Sequence, residues 1–466
     1  MPNRLEQLPD ELVLGIFSHL RPLRKETYED FEATSVTEAH QALTSLCLTS
    51  KRLSTIATPI LYSDAIVSQP DELGPAQISQ LLRTIIRDPV RGQQIAYIEH
   101  ISIQCHQHIC AYEYDHKQYY ESAIWTEHRK HIQSVARRFW NGERLESWGE
   151  LLRSYPDQAQ LVLLLRLCPN ITHIYVGMIR RVYGWCLNLL STYHSDAYPP
   201  TGEYGFSRLE KVCIDTMKGW SDRGDRGPSP DSSEDLSGFL QALPSLRQYG
   251  QIAFHGHGAE RPVLPFAFHL PKLETLTFHD SKEAIGAALS MIEACTNLKR
   301  FTFQPLIYWD NIPFKTIYAS LLTRKHTLEL ITLWNGTSRP ADIAPSGFSF
   351  AQFTHLRSLD VSDVMLMGVP DDYDPDEDDK WHVWNNHKPR HRLSSILPPS
   401  LETLRIDNDI TSFSGDIEFL WNFVDDLAQL PLLRVFRLTI GSNRRFTKLS
   451  AEFSKHGVEF KVELTW

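Results

Sequence analysis

Apolar residues along this chain follow two periods. Near the N-terminus the spacing is helical: Leu12, Ile16 and Leu20 repeat every four residues with Val13 and Phe17 beside them, which predicts one apolar stripe on a helix of about three turns. Pro9 suits a first helical position, and Asp10 and Glu11 put negative charge at the positive end of the helix dipole. Further on, Leu43, Leu46 and Cys47 form a short apolar segment and Ser50 can cap a new helix. Leu53, Ile56, Ala57, Ile60 and Leu61 then follow at helical spacing until Pro59 disturbs the last turn. Three short helices are expected, with a polar insert from about Arg21 to His40 between the two halves.

From about residue 90 the period becomes that of strands. The pattern apolar-x-x-apolar-x-apolar occurs at Ile98–Ile103, Ile171–Val176, Leu209–Ile214, Leu273–Phe278, Leu298–Phe303, Leu328–Leu333, Leu356–Val361, Leu401–Ile406 and Leu433–Leu438, with Leu246–Tyr249 as a degenerate copy. Helical segments separate the later copies. Ala284–Ala294 carries Ile285, Leu289 and Ile292 on one face, and Phe419–Leu430 carries Phe423, Leu427 and Leu430. Each unit therefore reads as one strand and one helix, and the fold class as α/β.

Side chains alternate across a strand, so the last two apolar residues of each pattern are expected on the buried face and their neighbours on the other. Those neighbours are Thr275, Thr277 and His279; Arg300, Thr302 and Gln304; Thr332 and Trp334; Ser358, Asp360 and Ser362; Thr403, Arg405 and Asp407; and Val435, Arg437 and Thr439. A face of charges and hydroxyls suits a protein or peptide better than an apolar small molecule. Its candidate target-binding residues are His279, Arg300, Gln304, Trp334, Asp360, Arg405, Asp407 and Arg437, with Trp334 and the arginines as anchors because those types dominate interface hot spots.

A unit of roughly 60 residues buries only about 60% of the surface its unfolded chain exposes, so the N-terminal helices need a partner or the rest of the chain. At this point two resemblances apply. Leu8-Pro9-x-Glu11-Leu12 through Ile16-Phe17-x-x-Leu20, then Leu46-Cys47-Leu48-x-Ser50-Lys51-Arg52-Leu53, resembles an F-box domain, and Ala57-Thr58-Pro59-Ile60-Leu61-Tyr62 resembles its fungal members. The insert is longer than the usual connection in that family, but each doubling of a loop adds only about 0.6 kcal/mol of closure entropy. The resemblance implies docking on the Skp adaptor subunit of a cullin ubiquitin ligase through Leu8, Pro9, Leu12, Ile16, Phe17, Leu20, Leu46 and Leu53. The strand-helix units are similar to leucine-rich repeats, which stack into a curved solenoid. Here they are irregular, without the regular Asn or Cys after the strand and with intervals from 25 to 45 residues between the copies from Leu273 onward. An ordinary α/β sheet domain is the alternative.

Composition narrows the function. The net charge of −10 over 466 residues falls to −3 once the run Asp371, Asp372, Asp374, Asp376, Glu377, Asp378 and Asp379 is set aside, which argues against a broad phosphate-binding surface and so against a nucleic-acid partner. The acidic run reads as a solvated loop. Seven cysteines form no disulfide framework, and neither an apolar leader segment nor a run of 18 apolar residues is present, so a cytoplasmic or nuclear protein with no membrane partner is expected. Gly-, Pro- and Ser-rich Arg223–Asp235 reads as a loop, as does Val369–Arg392.

Catalytic motifs are missing: there is no Gly-rich phosphate loop, no Gly-x-Ser-x-Gly and no His-Glu-x-x-His. Cys105, His106, His108, Cys110, His116, His128 and His131 concentrate metal-capable side chains, but their spacing matches no common zinc pattern. No catalytic residue, metal or cofactor is expected. The expected organisation is an F-box over 1–65, a linker helix region over 66–92, and a repeat domain over 93–466 with loops at about 221–236 and 367–393. The expected function is substrate receptor of a Skp/cullin/F-box ligase. The alternatives are a Skp-bound scaffold and, in another class, a metal-dependent enzyme.

Overall fold

The computed structural model describes residues 4–20, 33–68, 77–87, 98–104, 123–154, 156–168, 170–177, 206–215, 240, 243–252, 270–279, 284–305, 312–334, 343, 346–369, 390–408, 418–440 and 446–464. The chain divides into two compact units, 1–212 with 218–245, and 213–217 with 246–466.

In the first unit, helices α1 (Asp10–Ser18), α2 (Ala33–Thr49) and α3 (Lys51–Ser63) come first. Pro9 sits just before α1 in an extended conformation, with φ −54° and ψ 149°, and its carbonyl accepts from the amides of Leu12 and Val13. Ser50 caps α3, its Oγ accepting from the Leu53 amide at 3.3 Å. Two expectations change. Helix α2 begins at Ala33, inside the stretch read as an insert. Helix α3 runs through Pro59 to Ser63, because burial of Leu53, Ala57 and Ile60 outweighs the lost backbone bond.

Strand β1 (Asp64–Ser68) follows α3 directly and pairs in parallel with β2 (His100–Gln104), which pairs in parallel with β3 (His173–Gly177). Helix α4 (Gln77–Arg87) lies between β1 and β2 in sequence, and α5 (Ala123–Ala136), α6 (Gly142–Ser154) and α7 (Pro156–Leu167) between β2 and β3. The run Leu161–Leu165 is buried in α7. Trp148 anchors α6 to α7 by donating Nε1–H to the Ala159 carbonyl at 3.0 Å, and it stacks on Trp140 with ring centroids 5.5 Å apart. Strand β4 (Lys211–Asp215) spans the division between the units.

The second unit stacks parallel strands in chain order: β5 (Gln248–Ile252), β6 (Thr275–His279), β7 (Arg300–Gln304), β8 (Leu330–Leu333), β9 (Ser358–Ser362), β10 (Thr403–Asn408), β11 (Val435–Ile440) and β12 (Glu459–Leu464). Register aligns the sequence pattern in columns. Tyr249, Leu276, Phe301, Ile331, Leu359, Leu404 and Phe436 face each other along one buried row, and Phe278, Phe303, Leu333, Val361, Ile406 and Leu438 along the next. The leading apolar residues Leu246, Leu273, Leu298, Leu328, Leu356, Leu401 and Leu433 are also buried. Fully burying side chains of this size contributes about 1.5–3 kcal/mol each before entropy is subtracted, so these rows dominate the unit's stability.

Helices α8 (Ala284–Ala294), α9 (Phe314–Leu322), α10 (Asp363–Met367), α11 (Leu393–Ile396), α12 (Glu418–Asp425) and α13 (Thr447–Lys455) fill the connections. Helix α8 buries Ala288, Met291 and Ile292, so its inner face is rotated from the expected Ile285–Leu289–Ile292 stripe. Helix α12 ends at Asp425, and a 3-10 turn at Leu427–Gln429 completes the segment, with Phe423, Leu427 and Leu430 all buried as expected. Between β8 and β9 the described residues hold no helix. Phe348, Phe350 and Phe353 gather around Tyr318 of α9 instead, with Tyr318 and Phe348 stacked at 4.7 Å.

The residue just before each of β5–β11 belongs to a ladder of alternating charge: Arg247, Glu274, Lys299, Glu329, Arg357, Glu402 and Arg434. Each backbone amide from Glu274 onward donates to the carbonyl of the residue before it in this series, which sets them side by side. Arg247–Glu274 at 3.2 Å, Lys299–Glu274 at 3.3 Å and Arg357–Glu402 at 3.6 Å are ion pairs. Opposite charges across neighbouring strands contribute about 0.2–1 kcal/mol per pair, and like charges destabilise by similar amounts. Glu329→Lys sets three cations in a row, so its urea midpoint should drop further than that of Glu329→Gln, by about 1 kcal/mol of stability. That difference should shrink in about 1 M salt; an equal drop for both variants would remove electrostatics from the ladder.

Candidate functional site

Two surfaces carry the residues singled out from the sequence, one in each unit. The first lies on the N-terminal helices. Packing splits the α1 stripe in two: Val13 and Phe17 enter a core with Leu43, Leu53, Ala57 and Ile60, while Leu8, Leu20 and Leu46 are half-buried against it. Leu12 and Ile16, one helical turn apart, remain 56% and 44% exposed, and Leu48 on α2 is 84% exposed. Pro9 is exposed as well. Phe17 and Leu53, expected on the docking surface, are therefore core residues. They lie inside because three short helices have little else with which to fill their interior.

The entry to α1 is tied down by Arg52. Its Nε and Nη2 donate to Asp10 Oδ1 at 2.8 and 2.6 Å, and Nη2 also donates to the Leu8 carbonyl. Arg52 and Asp10 are both solvent-accessible, so the pair adds little net stability. Its role is to hold the turn before α1 against α3, which sets the orientation of Leu12 and Ile16.

The second surface is the outward face of β6–β12. The register brings Thr277, Thr302, Thr332, Asp360, Arg405, Arg437 and Lys461 into one row. Trp334 follows β8 and donates Nε1–H to Asp360 Oδ1 at 2.8 Å. The Arg405 guanidinium lies over its ring, 4.9 Å from the centroid. Arg405 also donates Nε–H to Thr439 Oγ1 at 3.3 Å and pairs with Asp360 at 3.7 Å and Glu463 at 3.1 Å. Arg437 reaches the other oxygen of Glu463 at 3.8 Å.

Of the eight expected target-binding residues, the fold thus brings Trp334, Asp360, Arg405 and Arg437 into one cluster. His279, Arg300 and Gln304 lie on the same face over β6 and β7, outside this network. Asp407 is buried at 3% exposure, as are Thr332, Ser362 and Thr439, all expected to face solvent. Ser362 is enclosed because the chain turns straight into α10. Thr439 is enclosed because Arg405 lies down along the sheet and bonds to it. Sequence reasoning missed Glu463. The alternation Val458, Phe460, Val462 against Glu459, Lys461, Glu463 is a period-two signal that marks β12.

Burial raises the Asp360 pKa above the usual carboxylate range, against the lowering effects of Arg405 and the Trp334 hydrogen bond. Burial also pushes the Cys295 thiol up to about 12 and raises that of Cys168, leaving both protonated and inert at neutral pH. Among the described residues no three His, Cys, Asp or Glu side chains are placed to hold a metal. Cys105, His106, His108, Cys110 and His116 lie outside the described residues, as does the His128 side chain, and His131 is exposed on α5. The segments Arg223–Asp235 and Asp371–Asp379 lie outside them too. No described helix is long and apolar enough to cross a membrane.

No family model matches the sequence, and no curated protein is similar to it. Among solved structures, a Bacteroides fragilis protein determined by a structural genomics consortium is similar over 92% of this chain and 84% of its own, at 14% identity and a TM-score of 0.32.

The cluster sets a pH dependence. Because the folded state raises the Asp360 pKa, folding binds its proton more tightly, and this contribution favours the folded state at low pH and is lost as pH rises through the folded value. The stability of the wild type relative to Asp360→Asn should fall as pH rises from about 4, read from urea midpoints. Trp334→Phe removes a donor to the carboxylate and should move that fall to higher pH. A wild type that gains on Asp360→Asn over the same interval would reverse the assignment.

Proposed function

We propose that this chain is the substrate receptor of a Skp/cullin/F-box ubiquitin ligase. Its N-terminal helices dock on Skp, and its strand-helix repeats, read as an irregular leucine-rich-repeat-like solenoid, bind the target protein. The observation that carries this reading is the split of α1: Val13 and Phe17 complete the helical core, which leaves Leu12 and Ile16 facing solvent. Large apolar side chains exposed on α1, and Leu48 exposed on α2 within the F-box-like pattern, suit a partner surface better than water.

In this reading the docking residues are Leu8, Pro9, Leu12, Ile16, Leu20 and Leu46, with Leu48 added, while Phe17 and Leu53 shape the helices from inside. The chain carries no chemistry of its own. Holding a target near the ubiquitin-charged enzyme converts an encounter between free molecules into a local reaction, and proximity supplies the acceleration. The polar face of β6–β12 supports the other half of the proposal, since a surface rich in Arg, Thr and Asp with one Trp suits a polar polypeptide.

Replacing Leu12 and Ile16 together by Glu should weaken Skp binding more than about 100-fold, since each removes a buried apolar contact and introduces a charge. The helical content and urea midpoint should stay close to wild type because neither side chain is in the core. Full-strength Skp binding by that variant would sink the F-box reading. Co-migration with Skp but never with cullin would instead support the scaffold alternative.

A further inference from the structure

We infer that the Arg405–Arg437 pair is a binding site for a carboxylate on an acidic segment of a target protein, and that Glu463 occupies the site in the free chain. This deepens the target-binding half of the function proposed above and is independent of the Skp-docking half.

The position of Arg405 does not depend on Glu463. Its guanidinium is held by the Trp334 ring at 4.9 Å, by Thr439 Oγ1 at 3.3 Å and by Asp360 at 3.7 Å, and the indole is itself fixed by its 2.8 Å bond to Asp360. What remains is Nη2, which lies 3.1 Å from a carboxylate oxygen of Glu463. A planar guanidinium locked by stacking is prepared to receive such a group, because its ordering cost is already met by the fold.

Glu463 fills the site loosely. Its second oxygen is 3.8 Å from Arg437 Nη1, beyond hydrogen-bonding distance, and its side chain is 37% exposed. It lies on β12, which among the described residues pairs with β11 alone. Arg437 Nε is buried and has no acceptor among the described residues. The Arg437 side chain as a whole is 41% exposed, so a carboxylate entering from solvent is free to approach its guanidinium end and close the 3.8 Å gap that Glu463 leaves at Nη1. Glu463 therefore shows which chemical group the site takes, and a hydrogen bond to Arg437 Nη1 is what an incoming carboxylate gains over it.

If the Glu463 contacts are only structural, removing its charge creates no binding. If Glu463 is a competitor, removing its charge frees the site. The test uses the full chain and a fluorescein-labelled peptide of repeated Gly-Glu, read by anisotropy. Glu463→Gln should bind it at least about tenfold more tightly than wild type, a difference of about 1.4 kcal/mol. The gain should vanish in Glu463→Gln/Arg405→Gln and with a Gly-Gln peptide. Equal affinity of wild type and Glu463→Gln, or a gain that survives Arg405→Gln, overturns the proposal. A gain seen with a phosphoserine peptide and not with the glutamate peptide overturns the carboxylate assignment in favour of phosphate. Skp binding by the same variants should match wild type, so a failure here and a failure of Skp docking are read separately.

Discussion

The second unit depends on one constraint: parallel strands in register stack identical positions of successive repeats on top of one another. Alternation then sends two apolar residues of each strand inward, and register lines them up into continuous buried rows such as Leu276, Phe301, Ile331, Leu359, Leu404 and Phe436. A slip by one residue would exchange these rows with those holding Asp360, Arg405 and Arg437. Burying three unpaired charges costs far more than any loop or helix contact could return. The same register that protects the core therefore also assembles the polar face.

That assembly explains why the face is not a scatter of exposed side chains. Asp360, Arg405 and Arg437 are separated by dozens of residues in sequence, yet each occupies the same row of neighbouring strands. At such spacing long side chains meet and lie down along the sheet, covering Thr439 and stacking on Trp334. The alternating ladder from Arg247 to Arg434 obeys the same rule one residue before each strand. There opposite charges alternate and three neighbouring pairs close into ion pairs, whereas around Arg437 one buried donor is left over.

The helical trio shows the opposite limit, a core so small that each residue inside it counts. Among the described residues its buried apolar side chains are Val13, Phe17, Leu43, Leu53, Ala57 and Ile60. The four apolar stripe residues Leu12, Val13, Ile16 and Phe17 on α1 offer more than this interior can hold, so part of the stripe stays outside. The exposed remainder is a consequence of size, and it is what gives the proposed docking surface its chemistry.

Much of this was legible in the chain itself. Period-two apolar patterns located β6 through β11, and the four-residue spacing located α1 and α3, because local periodicity follows directly from backbone geometry. The start of α2 at Ala33 was hidden, since polar residues such as Thr34, Ser35 and Thr37 carry no apolar period there. Strand β12 escaped because it lacks the leading part of the repeat, although its alternation was present. The sequence by itself determined which residues alternate and hence the α/β class and the two faces of each strand. Only the tertiary structure decided which half of the α1 stripe is buried, that Asp407 and Thr439 are enclosed, and that Glu463 meets Arg405 and Arg437. Those outcomes depend on available volume and on side chains from distant repeats, and neither quantity is encoded in the spacing of residues along one segment.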